Sequence, residues 1–124
     1  MGDPMGSEGA WRLRAGRSLR AATVLMAQTP ALHLPAVSRI YYATYQAACA
    51  ALVVQGISVR RSHGEVWRAS HRVRLGLGHK LRALYRSRLA ADYAIGSATE
   101  GEARQLVAHY SDLTRQLGIT DHGS

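Results

Sequence analysis

In the stretch RSRLAADY, Arg88 and Asp92 stand one helical turn apart, and Tyr93 follows at once. A guanidinium is a permanent cation whose planar fork matches phosphate or carboxylate. A carboxylate one turn away can hold that cation or accept a proton. At about 100° per residue, Leu77, Leu81, Leu84 and Tyr85 form one apolar face, and Arg88 and Asp92 project close to its centre. Arg82 and Arg86 point away, toward solvent. An arginine among leucines must be paired, or lie in a cleft or seam that water or a ligand reaches. Two readings follow: an internal ion pair that fixes helix register, or the charged floor of a groove that meets phosphate.

Other candidates surround this pair. His63 sits at a turn just before a helix, a place that suits a cap, a surface residue or a groove residue. Arg39, Tyr42 and Gln46 share one face of an otherwise apolar segment, where they serve hydrogen bonding in a bundle, a dimer seam or a ligand. Arg68, Arg72, Arg82 and Arg86 make a basic outer face. The formal charge is +8, and Lys80 is the only lysine. From Arg60 to Arg88 there are nine Arg or Lys against one acid, Glu65, a balance that fits a polyanion or an acidic protein partner. His33, His71, His79, His109 and His122 lack metal-ligand spacing, so neither metal nor cofactor is expected. Cys49 lies among alanines and reads as a core thiol. Gly76 and Gly78 are no phosphate loop, because no strand precedes them.

The elements that position these residues read as helices. A chain of 124 residues fits one domain with one core. Phe is absent, and no segment alternates as a strand does. Trp11, Ala15, Leu19, Ala22, Leu25 and Met26 predict a first helix over about 9–27, with Arg17 and Arg20 on its wet side. Pro35 suits the first turn of a second helix that Gly56 ends. The spacing Ser62…Glu65 predicts a cap opening a short third helix, interrupted near Gly76 and Gly78. A fourth helix covers about 77–94, and Thr99…Glu102 opens a fifth, with its stripe Ala103, Leu106, Val107, Tyr110, Leu113 and Leu117. Short connections predict antiparallel neighbours. The expected partition is an unstructured N-terminus or expression remnant over 1–8, a helical domain over 9–118 and a fraying tail over 119–124. The longest apolar run, AACAALVV, is too short to span a membrane, and no secretory or myristoylation signal is read at the N-terminus. A single cysteine makes the cytoplasm the simplest expected location.

The segments SRIYYATYQAACAALVVQG, RSHGEVW, GLGHKLRALY and RSRLAADYAIG, in this order and before a final amphipathic helix, resemble the HEPN domain superfamily. Within it they are most similar to small stand-alone prokaryotic members of toxin–antitoxin or defence loci. The resemblance implies an all-α, up-and-down bundle of four to five helices that forms a homodimer. It implies a minimal nucleotidyltransferase as a partner. Many members are metal-independent endoribonucleases in which an Arg is followed within a turn or two by a His, the two copies meeting across the dimer. Arg88 falls at the place of that Arg, while Asp92 stands near the place of the His. An aspartate beside an arginine is a weak base and a poor acid at neutral pH. His63 matches a histidine common in this branch, and Tyr93 lies near the place of a tyrosine nucleotidylated by the partner. Two functions stay open: engagement of RNA or nucleotide through a basic groove around Arg88 at the dimer interface, or a non-catalytic module that docks the nucleotidyltransferase.

Overall fold

Five α-helices carry the described residues, 7–93, 96 and 98–120, of this computed structural model. They are α1 (Glu8–Met26), α2 (His33–Val54), α3 (His63–Ala69), α4 (Leu77–Tyr93) and α5 (Glu100–Gln116), with a 3-10 turn (Ser70–Arg72) after α3. The helix starts have local causes. Ser62 Oγ accepts the Glu65 N–H at 3.3 Å while the Glu65 carboxylate accepts the Ser62 N–H at 3.2 Å. Thr99 and Glu102 repeat the exchange at 3.2 and 2.9 Å. Each pair satisfies donors that a helix N-terminus otherwise leaves bare. Pro35 sits in the first turn of α2, where a missing N–H breaks no helical bond.

Side-chain pairs fix the directions of the helices. Gln46 of α2 lies against Arg14 and Ser18 of α1, whereas the Leu32 N–H reaches the Leu25 carbonyl at the other end, so α1 and α2 are antiparallel. Tyr41 meets Tyr85, and Val37 clusters with Ala91, so α4 also runs against α2. Val37 clusters with Ala103 while Thr44 meets Thr114, so α5 runs parallel to α2. The arrangement is up-and-down, with α2 as the spine on which α1, α4 and α5 all pack. Ala43, Ala47 and Ala50 are buried on that spine, and their small side chains let neighbours come close. The antiparallel expectation needs one refinement: α4 and α5, consecutive in the chain, are each held chiefly by α2, and an open groove of about 720 Å³ lies between them.

The ends of the domain also differ from the expected partition. Ser7 Oγ accepts the Ala10 N–H, and Glu8 begins α1, so the N-terminal boundary moves back from 9. Ile119, placed in the tail by the sequence, is 3% exposed and belongs to the core. Its burial follows the Gly118 turn, whose φ of 92° brings the chain back under α1, where Arg12 donates to the Gly118 carbonyl. The rest of the expected leader (1–6) and of the expected tail (121–124, with His122) lies outside the described residues.

Candidate functional site around Arg88

Arg88 lies on α4 where that helix crosses α2. Its guanidinium carbon sits 5.0 Å from the Tyr42 ring centre and 5.5 Å from that of Tyr85. Aromatic faces attract a cation and shield it from water at little desolvation cost. The side chain is 20% exposed, so the cation is neither buried nor free. Its Nε is shielded from solvent and lies 3.3 Å from Asp92 Oδ2, yet the two are not aligned as a hydrogen bond. Charge attraction survives such misalignment; the directional part of the bond does not. Asp92 is 36% exposed, so its carboxylate keeps contact with water. Arg88 therefore stands among tyrosines on the rim of the fold, with part of its donor fork open.

Behind Arg88 lies an aromatic box that the sequence only partly revealed. The His63 ring stacks on Tyr45, with centres 4.3 Å apart and planes 12° apart, and lies 5.7 Å from Tyr85. Tyr41, fully buried, brings its hydroxyl to 2.6 Å from His63 Nδ1. Trp67 Nε1 donates to the same hydroxyl at 3.1 Å. An indole N–H can only donate, so the Tyr41 oxygen accepts from Trp67 and its own proton goes to His63 Nδ1. With the roles assigned in this way, neutral His63 carries its proton on Nε2. Burial, and then the positive charge of Arg88, hold the imidazolium below its ordinary pKa of 6.5.

That depression has a signed consequence. The folded state resists taking the proton that the unfolded chain accepts near pH 6.5. The neutral imidazole therefore contributes stability that is complete above that pH and is lost as pH falls through 6.5 toward the lower folded value. Melting temperature is expected to fall between about pH 6.5 and pH 5, and His63→Gln is expected to flatten that part of the profile. An unchanged slope in the variant would remove His63 as its cause.

The remaining sequence candidates scatter. Arg39 is exposed, and its guanidinium carbon is 5.7 Å from the Tyr42 ring centre, so both extend the Arg88 surface. Gln46 does not join them. Its amide nitrogen, with two protons to give, faces the Tyr42 carbonyl at 3.1 Å, the Arg14 carbonyl at 3.0 Å and Ser18 Oγ at 2.8 Å, which commits it to the α1–α2 seam. Tyr93 is 71% exposed at the end of α4. The basic outer face is not one surface. Arg68 and Arg82 line a cleft between α3 and α4, whereas Arg86 lines the α4–α5 groove with His109 and Glu102. Arg72 is exposed on the 3-10 turn and lines neither. Cys49 is fully buried, and burial pushes its thiol up to about 12, so it is no nucleophile.

Tyr41, Tyr45 and Trp67 are the residues that the sequence reading missed. One signal was present: Tyr41 and Tyr45 stand one turn apart, as Tyr85 and Arg88 nearly do. Among the described residues, no group of His, Cys, Asp and Glu is arranged to hold a metal, and no helix is long and apolar enough to cross a membrane. Against protein-family models, curated proteins and solved structures, the chain finds no match.

Proposed function

We propose that the chain is a HEPN-type module of a prokaryotic toxin–antitoxin or defence locus, cytoplasmic and homodimeric, that engages RNA or a nucleotide through Arg88. The observation that carries this reading is the state of the Arg88 side chain: 20% exposed, backed by Tyr42 and Tyr85, with its ion pair to Asp92 poorly aligned. A cation held this way is oriented in advance yet keeps donors for a phosphate oxygen. The net charge of +8 raises the local concentration of any polyanion. His63 lies against the same Tyr85 ring, with its Nδ1 engaged by the Tyr41 hydroxyl.

The test is labelled RNA incubated with purified protein in EDTA, beside Arg88→Ala. The expected result is at least a tenfold loss of RNA binding in the variant, with the dimer intact by sedimentation. Cleavage that disappears with Arg88 would make the module an enzyme. A second reading has its own observation, the approach of Asp92 to Arg88 within 3.3 Å. There the pair fixes the seam, and the basic face docks an acidic nucleotidyltransferase. That reading expects Arg88→Ala to lower the melting temperature or split the dimer without altering RNA binding.

A further inference from the structure

The cleft between α3 and α4 encloses about 580 Å³, within the ~300–1,000 Å³ span typical of small-molecule sites. Its walls differ in kind. Trp67 and Leu75 are apolar, and Leu75 is 91% exposed. Arg68 comes from α3 and Arg82 from α4, and His71 and His79 complete the rim. No acidic side chain is among its described lining residues. Neither arginine is in an ion pair among the described residues, although Arg68 does pull on Glu65. Gly64, Gly76 and Gly78 also line the cleft and take no side-chain space there.

Its geometry is fixed by main chain. At Gly78 a Cβ would overlap the Trp67 carbonyl oxygen and lie 3.0 Å from its carbon, so α3 and α4 touch backbone to backbone. Gly76, at φ 84°, makes the reversal into α4 that a side chain would strain. The Trp67 indole is held by its bond to the Tyr41 hydroxyl, and the His71 ring by its bond to the Arg68 carbonyl. A braced aromatic ring beside cations on two helices suits a ligand that is flat at one end and anionic at the other. Stacking would take the flat part, and the guanidinium forks the anion.

We infer that this cleft binds the base and phosphate of a nucleotide, as a site separate from Arg88. The shared chemistry has two sources, a free mononucleotide or one unit of a single strand. The inference does not rest on the Arg88 reading: Trp67 also backs the aromatic box, but Tyr42, Tyr85 and Asp92, which meet Arg88, do not line the cleft.

The test is titration of the full chain with AMP, adenosine and inorganic phosphate, followed by the indole N–H signals of Trp67 and Trp11. AMP is expected to shift Trp67 and leave Trp11 unmoved, with adenosine and phosphate each binding at least tenfold more weakly. Gly64→Leu adds a side chain to the cleft lining from a helical position where a Cβ meets nothing within 4 Å. It should weaken AMP at least tenfold, as should Arg68→Gln combined with Arg82→Gln. Arg17→Gln, an exposed charge on α1, should change AMP binding less than twofold. An RNA octamer that displaces AMP would assign the cleft to strand units, and one that does not would assign it to free nucleotide. Phosphate binding as well as AMP, or AMP binding indifferent to Gly64→Leu, overturns the inference.

Discussion

Gly78→Ala is expected to lower the melting temperature by roughly 12 °C, the equivalent of about 3 kcal/mol for a domain of this size. In an ordinary helical position the same change would stabilise by up to ~1 kcal/mol, because alanine is the better helix former and restricts the unfolded chain. Here the new methyl would overlap the Trp67 carbonyl oxygen. That carbonyl also accepts the Ser70 N–H that finishes α3, so it cannot swing aside without opening the end of the helix. Backbone has no alternative rotamer, and α3 must move off α4 as a unit. Gly64→Ala is the control, since its Cβ meets nothing within 4 Å and it should melt close to the parent. Thermal melts followed by circular dichroism read both. A Gly78→Ala protein that melts at or above the parent would mean that the two helices do not make this contact.

The same glycine shows what the sequence could and could not reveal. Gly76 and Gly78 read as an interruption between helices, and for Gly76 that is its role, at φ 84°. Gly78 instead lies inside α4, and its need for no side chain arises from α3 crossing above it. Such a need depends on a tertiary approach and leaves no local trace. Helix starts, by contrast, were legible because the capping boxes at Ser62 and Thr99 are complete within four consecutive residues. The stripe of α5 was legible for the same reason of short range, with Ala103, Val107, Tyr110 and Leu113 all buried. Arg88 was conspicuous because a charge on an apolar wheel face is a local contradiction. Its surroundings were legible only in part, since Tyr85 lies one turn back on α4 whereas Tyr42 reaches it from α2. Gln46 takes the bundle role among those its face allowed, for a reason that is again tertiary. It shares a wheel face with Tyr42 but turns its amide to α1, and only the neighbouring helix decides which polar residue on a face is spent on packing.

Tyr41→Phe removes one oxygen and is expected to cost about 2 kcal/mol, because two polar groups lose their partner at once. The ring is kept, so its contacts with Tyr45, Tyr85 and His63 survive. What disappears is an acceptor for Trp67 Nε1 at 3.1 Å and a donor to His63 Nδ1 at 2.6 Å. The donor matters for charge as well as for stability. While the Tyr41 proton sits on the Nδ1 lone pair, His63 can gain a proton there only by displacing it. Burial and Arg88 already press the imidazolium down, and a hydroxyl that donates to the neutral ring acts in the same direction on chemical grounds. In Tyr41→Phe the His63 pKa should therefore rise toward 6.5, and the loss of stability on acidification should start from a lower plateau and run less steeply. Urea denaturation at pH 7 measures the first effect, and an NMR titration of the His63 ring measures the second. A variant with reduced stability and an unmoved imidazole would assign the hydroxyl to Trp67 alone. A variant in which both move ties α3 to Arg88 through a single proton, and it makes the protonation state of His63 a property of the whole aromatic box.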